Sequence, residues 1–351
     1  MTQQVKIIVD SGAYSAWRLG KEINLDAYCS YLEQNLDWIT EYIALDVINP
    51  NNVEEAARAS FDNLVIMRKR GLNPLGVLHA GESIDWLHRM LDLGVRYIGI
   101  AASSLTSRTS IDDWYSLIFS HLVNSEGLPV VKTHALGEGR ASSLKRFPWV
   151  SADSTSWVYS AQRGGIATLP DGARIGMRHD GNSPTSAPDL NQLGSEDRAI
   201  FNAVLKEHGI SQTVFETRDP TALLLRSYMT ALFYIRCERE INALRPIKFH
   251  PHGFLHNGYS AQPPIHFDEF SFYLVCGTNN TTFPLIAKLG HQSILASYFY
   301  IDSPNDNASK GIGFKFKRLR EFVNDPIGVI SEVETWKSKW DILEAHLTGN
   351  K

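Results

Sequence analysis

Five polar residues stand at the ends of short apolar runs in the first half of the chain: Asp10, Asp46, His79, His134 and Asp153. Carboxylates and imidazoles are side chains that transfer protons or attack electrophilic carbon in enzymes. Apolar runs of this length are typical of buried strands, so each residue is predicted to lie where a strand ends and its loop begins. Five such residues in succession indicate one common site.

Asp10 and Asp153 are the two carboxylates best placed for cleavage of a glycosidic bond. That reaction passes through a sugar cation, which one carboxylate can stabilise or trap while a second group moves a proton. Gly12, two residues after Asp10, would let the backbone approach a ligand closely. Either aspartate could instead cap the segment that follows it, and it is the pair that favours chemistry.

The elements that must position these residues alternate between apolar runs and amphipathic stretches. The runs span residues 6–12, 42–46, 75–81, 97–101, 130–137 and 149–154, with helices predicted at 24–39, 51–70, 83–93 and 110–123. This rhythm indicates an α/β fold with a parallel sheet covered on both faces. We predict a TIM-like (β/α)8 barrel with an inserted and appended α-rich segment, in preference to an open doubly wound sheet. In a barrel of this kind the strand ends converge on one rim.

Three segments are predicted along the chain. Residues 1–157 supply the first six βα units and the catalytic rim, and residues 158–260 form an insertion of loops and helices, interpreted as a nucleic-acid clamp. Residues 160–195 are rich in Gly, Pro, Ser and Asp, which predicts a hairpin or excursion. Residues 261–351 complete the barrel with the runs 270–277 and 293–301, and a helix at 329–346 follows.

Composition restricts the class of protein. Three cysteines without close spacing argue against a disulfide framework and against a structural zinc site. No segment suggests a signal peptide or a membrane span, so we expect a cytoplasmic protein with no metal, no cofactor and no membrane partner. The net charge of −4 does not by itself indicate a nucleic-acid-binding protein. Binding of nucleic acid requires only a local basic surface, so this charge does not exclude it either. Arg140, Lys145 and Arg146 are the predicted contacts to a nucleic-acid backbone.

Three motifs resemble those of the tRNA-guanine transglycosylase superfamily: DSGAYSAW at residues 10–17, HALG at 134–137 and ADSTSW at 152–157. Taken in order with ALDVI, VLHAGES, YIGIA, KTHALG and RFPWVSADSTSW, they are more similar still to the phage-type DNA 7-deazaguanine transglycosylase branch. The resemblance covers about the first 160 residues, and more loosely residues 291–301.

This resemblance implies a role for each motif residue. Asp153 would be the nucleophile that attacks C1′ of the nucleotide, and Asp10 the general acid and base. Asp46 would accept hydrogen bonds from the Watson–Crick edge of the base, and Tyr14 would stack on the heterocycle. The remaining base-binding residues would be His79, Gly99, Ile100 and His134.

Two departures from the family pattern bear on the substrate. His79 stands where the family has a base-contacting glutamine, which leaves the identity of the base open. The family's CxCxxC…H zinc motif is absent, and residues 250–256, HPHGFLH, offer histidines without a cysteine pair. Loss of the zinc subdomain removes part of the platform that grips tRNA, so DNA is the expected partner, with a free 7-deazaguanine base as second substrate.

Three other functions remain open from the sequence. The same pocket could let water resolve the sugar cation, which would make the protein a hydrolytic DNA glycosylase that leaves an abasic site and attacks phage DNA. The chain could be a catalytically inactive binding partner, although both Asp10 and Asp153 are retained. A metal-dependent hydrolase using His79, His134 and Asp153 would be expected to carry an HxH motif on the first strand, where this chain has DSG.

Overall fold

Eight parallel strands form the main sheet of the computed structural model, which describes residues 5–162, 165–167, 174–176, 192–216, 220–251, 262–276, 282–296 and 319–347. The strands of the chain are β1 Lys6–Val9, β2 Glu41–Tyr42, β3 Gly76–His79, β4 Tyr97–Ala101, β5 Lys132–Leu136, β6 Ser151–Ser154, β7 Gly165–Ala167, β8 Arg174–Gly176, β9 Ser271–Cys276 and β10 Ser293–Ala296. The short strands β7 and β8 pair with each other as an antiparallel hairpin. Each of the eight predicted runs contributes a strand to this sheet, although the run 42–46 supplies only Tyr42 to β2 and an isolated bridge at Ile43. Residue 277 and residues 297–301 of the last two runs lie outside the described residues.

The strand order is β2-β1-β10-β9-β6-β5-β4-β3, which is a cyclic order with one interruption between β2 and β3. One isolated parallel bridge, between Ile43 and Leu75, joins these two edge strands, and we call this junction the β2–β3 seam. Leu75 N donates to Tyr42 O and Ala44 N donates to Leu75 O, both at 2.8 Å. The sheet is therefore curled and compatible with a TIM-like fold. At the β2–β3 seam, however, the described residues form one isolated bridge and not a continuous ladder of hydrogen bonds, so the barrel is not closed there. A doubly wound sheet would reverse its strand order near its centre, which this sheet does not.

Helices follow most strands and cover the outside of the sheet. They are α1 Ala13–Arg18, α2 Leu25–Asn35, α3 Val53–Lys69, α4 Ile84–Asp92, α5 Arg108–Leu122, α6 Ala141–Arg146, α7 Ser156–Gln162, α8 Ser195–Glu207, α9 Pro220–Ala243, α10 Thr282–Leu289, α11 at residues 319–324, α12 Pro326–Glu332 and α13 Glu334–Leu347. A 3₁₀ turn spans Gln212–Glu216.

Side-chain caps explain where the first barrel helices begin. Asn24, Asn52 and Ser83 each accept a hydrogen bond from a backbone N–H in the first turn of α2, α3 and α4, as their sequence positions suggest. The helix predicted at 110–123 on the basis of Ser110 as its N-cap begins earlier than predicted. Ser107 caps α5 by accepting from the backbone N–H of Ser110, so the helix begins nearer to β4. The predicted final helix is also interrupted, because Val333 is extended between α12 and α13.

Alternate residues of the strands face two separate apolar layers. Ile8, Val77, Tyr273, Val275 and Leu295 belong to an inner cluster made of strand residues and their immediate neighbours. The residues between them on each strand pack instead against the helices in a much larger outer cluster. Burial of each aliphatic side chain contributes about 2 kcal/mol. Because side chains alternate along a strand, the inner cluster also fixes which polar residues at the strand ends face inward.

Helix α9 supports the sheet next to β9. Asn242 accepts from the backbone N–H of Phe270 at 2.7 Å and donates to its carbonyl at 3.0 Å. Glu238 accepts from the backbone N–H of Phe272 at 2.6 Å, and the ring of Tyr234 stacks on the Phe272 ring at 4.4 Å. These bonds fix β9, and with it the neighbouring strand β6.

Candidate active site

Asp10 and His79 lie at the carboxyl ends of β1 and β3, Asp46 lies in the loop after β2, and Asp153 is the penultimate residue of β6. The prediction that His134 ends its strand was wrong, because it is the middle residue of β5 and is in register with the first residue of β6. Asp10 is two residues beyond Ile8 of the inner cluster, and His79 is two residues beyond Val77. Asp153 is paired in register with Tyr273, another inner-cluster residue. Strand alternation therefore directs these three side chains to the inner face, at one rim of the curled sheet.

Asp153 is oriented through one of its two carboxylate oxygens. Its Oδ1 accepts a hydrogen bond from Nε2 of His134 and another from the backbone N–H of Gly137, each at 3.0 Å. Gly137 has a φ of 69°, a conformation that glycine adopts without strain, and it turns the chain at the end of β5. Within the described part of the chain Oδ2 accepts no hydrogen bond, so this oxygen is available to a ligand.

His134 is itself held from the opposite side of its ring. The imidazole is fully buried, and its Nδ1 lies 2.5 Å from Oγ of Ser151 on the adjacent strand β6. Ser151 Oγ lies 2.5 Å from the hydroxyl of Tyr97 on β4. A continuous row of hydrogen bonds therefore runs from Tyr97 to Asp153 across three strands.

Asp10 occupies the loop between β1 and α1. The residue as a whole is partly exposed, but its carboxyl group is surrounded by protein atoms. Its Oδ1 accepts from the backbone N–H of Gly12 at 3.3 Å. Burial of the carboxyl, together with the negative charges of Asp46 and Asp153, raises the pKa of Asp10 from 3.8 to about 7, despite the opposing backbone hydrogen bonds. A carboxyl with this pKa can both donate and accept a proton near neutral pH.

A second hydrogen-bonded group joins Asp46, His79 and Glu82. Nε2 of His79 lies 3.1 Å from Asp46 Oδ2, and Nδ1 lies 2.8 Å from Glu82 Oε1. Burial opposes protonation of His79, but the hydrogen bonds and charges of the two carboxylates outweigh it and raise the pKa of the imidazole to about 10. Ser11 Oγ donates to the other oxygen of Asp46 at 3.0 Å. His79 is thus a largely enclosed cation between two carboxyl groups, and it crosses the β2–β3 seam.

The other predicted base-binding residues have different surroundings. Tyr14 on α1 is 53% exposed, so core packing does not account for it, and its ring lies 5.8 Å from that of Trp17. A Cβ on Gly99 would lie 3.0 Å from a methyl of Leu136, so a larger residue there would require the Leu136 side chain to move. Ile100 directs its side chain to the outer cluster, so only its backbone faces the other way.

The three predicted backbone-binding cations are all engaged in ion pairs. Arg140 lies 2.6 Å from Glu138 and 2.9 Å from Asp112. Arg146 lies 3.5 Å from the other oxygen of Asp112, and Lys145 lies 2.5 Å from a glutamate of α9. A phosphate would have to compete with these carboxylates for each cation.

Sequence reasoning did not single out Glu82, Ser11, Tyr97 or Ser151 as part of the site. Glu82 stands three residues after His79 in the run HAGE, and this spacing was the available signal. Tyr97 and Ser151 lie below the rim inside the curled sheet, where their residue types look like ordinary strand residues. Only the pairing of β4, β5 and β6 brings them next to His134.

The described residues hold no group of three or more His, Cys, Asp or Glu side chains arranged to bind a metal ion. That finding disfavours a metal site built from His79, His134 and Asp153. Of the histidine-containing loop 250–256, residues 252–256 lie outside the described part of the chain. Among the helices that the structure describes, none is both long and apolar enough to cross a membrane.

No protein-family model matches the sequence, and no curated protein matches it significantly.

Proposed function

We propose that this chain is an enzyme that cleaves the N-glycosidic bond of a base in DNA and replaces the base with a 7-deazaguanine. The observation that carries the proposal is the meeting of two differently held carboxylates at one rim. Asp153 is oriented through Oδ1 by His134 and Gly137, while Asp10 has a pKa of about 7. Two carboxyl groups in different environments are typical of a nucleophile paired with a general acid.

The reaction has two balanced steps. Asp153 Oδ2 bonds to C1′ of the nucleotide as the glycosidic bond breaks, and the bonding electron pair leaves with the base. Asp10 gives its proton to that departing base. The incoming base then loses a proton to Asp10 and attacks C1′, which releases the Asp153 carboxylate. Asp10 must therefore change protonation state twice per cycle, and a pKa near neutral suits both transfers.

Asp46 and His79 are proposed to recognise the base. Both oxygens of Asp46 already accept one hydrogen bond, from Ser11 and from His79, and these bonds orient the carboxylate. Each oxygen retains a second lone pair, with which Asp46 can accept from donors on the Watson–Crick edge. Tyr14 is exposed at the start of α1, and we propose that it stacks on an unpaired base. Gly99, Ile100 and His134 complete the proposed pocket.

The target nucleotide must leave the base stack before it can reach this rim. Unstacking and unpairing cost a few kcal/mol in duplex DNA, so single-stranded or weakened sites are the proposed substrate. Residues 158–260 are proposed as the clamp that holds the strand, with Arg140, Lys145 and Arg146 contacting phosphates.

The proposal also includes the closure of the sheet into a barrel and the cellular compartment of the protein. We take the curled sheet to function as a (β/α)8 barrel, in which residues 1–157 and 261–351 both contribute strands. A reducing, cytoplasmic setting suits Cys29 and Cys237, which are buried and free.

Hydrolysis is the second candidate function, and the environment of Asp10 favours it over an inactive role. At neutral pH about half of the Asp10 carboxyls are ionised, so Asp10 could take a proton from water as readily as from a base. Water would then resolve the Asp153 intermediate and leave an abasic site. An inactive binding partner would have no use for either carboxylate.

The test is a nucleoside analysis by mass spectrometry of single-stranded DNA incubated with the full-length protein. A mass-shifted nucleoside that forms only when a 7-deazaguanine base is added would support base exchange. Released base with alkali-labile strands would instead support hydrolysis. The variant Asp153→Asn should form neither product, because it lacks the proposed nucleophile. Asp62→Asn, which changes an exposed aspartate on α3, is its matched control and should retain activity. An unchanged DNA with wild-type protein under all conditions would contradict both functions.

A further inference from the structure

We propose that Ser151 and Tyr97 are positioning residues for the Asp153 carboxylate and act through the ring of His134. This inference rests on the proposed role of Asp153 as nucleophile. The three residues form one row of hydrogen bonds that ends on Asp153, with 2.5 Å from Tyr97 to Ser151, 2.5 Å from Ser151 to His134 and 3.0 Å from His134 to Asp153.

The row is built into the sheet rather than into its loops. Gly99 on β4 is paired in register with His134 on β5, and His134 is paired with Ser151 on β6. His134 and Ser151 are both buried, and the ring of Tyr273 packs edge-on against the imidazole at 6.2 Å. Water therefore has little access to either nitrogen of His134, and the hydroxyl of Ser151 is the partner of Nδ1.

Counting hydrogens gives the row a direction. A tyrosine hydroxyl and a serine hydroxyl each have one hydrogen to donate, and a neutral imidazole has one N–H. Burial raises the pKa of Tyr97 well above its usual value, which keeps its hydroxyl protonated. The carboxylate oxygen Oδ1 of Asp153 can only accept, so the single imidazole hydrogen lies on Nε2 and points at Asp153. Nδ1 must then accept from the hydroxyl of Ser151, and Ser151 accepts in turn from Tyr97.

This arrangement has a chemical consequence for the nucleophile. His134 in the neutral Nε2–H form fixes Oδ1 of Asp153 without bringing a positive charge against it. A protonated imidazole at the same place would form an ion pair with Asp153 and weaken its attack on C1′. The hydroxyls of Ser151 and Tyr97 thus select the ring tautomer that orients the carboxylate and leaves its charge available.

The kinetic test compares Ser151→Ala and Tyr97→Phe with Thr133→Val in the full-length protein. Thr133 is also fully buried on β5, next to His134, but among the described residues its hydroxyl has no hydrogen-bond partner. We expect Ser151→Ala to lower kcat by about tenfold, or about 1.4 kcal/mol, because an unfixed carboxylate attacks less often. Tyr97→Phe should lower kcat by about threefold, and neither change should move KM more than about twofold. Equal kcat values for Ser151→Ala and Thr133→Val would overturn the inference.

A spectroscopic test separates this inference from the proposed function. Nitrogen-15 NMR of histidine-labelled protein distinguishes the two neutral tautomers and the imidazolium, and His134→Gln assigns the signal. We expect the Nε2–H tautomer in wild-type protein at neutral pH and a mixture in Ser151→Ala. An Nδ1–H or doubly protonated ring in wild-type protein would overturn the inference even if the enzyme is active. A wild-type Nε2–H ring without any glycosidic cleavage would instead support the row and contradict the proposed function.

Discussion

Replacement of Asp10 with Asn should remove much of the pH dependence of folding stability between pH 5 and pH 8. In the folded protein the pKa of Asp10 is raised from 3.8 to about 7, chiefly by burial and by the charges of Asp46 and Asp153. Asparagine has no proton to lose and keeps an oxygen that can accept from the backbone N–H of Gly12, so the local geometry is retained.

The sign follows from which state loses its proton first. Above pH 4 the unfolded chain ionises Asp10 while the folded chain keeps it neutral, so the free energy of unfolding falls as pH rises. The fall continues until the folded carboxyl also ionises near pH 7, and it then stops. At about 1.4 kcal/mol per pH unit, the wild-type protein should lose about 2 to 3 kcal/mol through this group between pH 5 and pH 8.

Urea denaturation at pH 5, 6, 7 and 8 measures this loss directly. The difference in stability between Asp10→Asn and wild type should grow with pH, to the advantage of the variant, and level off above pH 7. Asp62→Asn, on the exposed face of α3, is the control for loss of one surface carboxylate. Parallel pH profiles for wild type and Asp10→Asn would refute the argument, since Asp10 would then have no raised pKa with which to serve as an acid.

Three further predictions concern the rest of the rim. Asp153→Asn should reduce glycosidic cleavage by at least about a thousandfold while thermal unfolding and DNA binding stay near wild type, as measured by product formation, calorimetry and filter binding. His79→Gln should lower stability by about 3 kcal/mol at pH 7, because it leaves the carboxyl groups of Asp46 and Glu82 without their cation. In wild-type protein this contribution should be lost as pH rises from 6.5 through about 10. Tyr14→Ala should leave the urea midpoint unchanged, because the side chain is 53% exposed, and should weaken binding of single-stranded DNA by about 1 to 3 kcal/mol in a fluorescence titration.

Strands such as β1, β4 and β9 could be predicted from the sequence because each lies in a nearly continuous apolar run bounded by polar or glycine residues. Asp10 and His79 could be assigned to strand ends for the same reason, since a buried parallel strand leaves little doubt about where its apolar part stops. The polar residues inside β5 and β6 made the ends of these two strands harder to predict. The caps were less predictable. Ser107 and Ser110 are three residues apart and both suit a helix start, and only the fold selects Ser107.

The connections within the site could not be predicted from one sequence. Ser151 and Tyr97 are 54 residues apart, and their contact depends on the register of two intervening strand pairs. Asp46 was predicted to accept hydrogen bonds from a base, and the sequence did not show that His79 and Ser11 already bind its two oxygens. Local residue type and spacing carry no information on such cross-strand contacts, because they arise when the sheet curls.

The β2–β3 seam makes the backbone itself sensitive to what occupies the rim. Asp46 follows β2 and His79 ends β3, so their hydrogen bond spans the place where a single bridge joins the two edges. The amide hydrogens of Ala44 and Leu75 are buried and depend on that bridge for their protection from solvent. A ligand that binds both Asp46 and His79 would hold the edge strands β2 and β3 together, and it would therefore slow deuterium uptake at these two amides. A pocket placed across the least-connected junction of its own sheet can thus report its occupancy through isotope exchange.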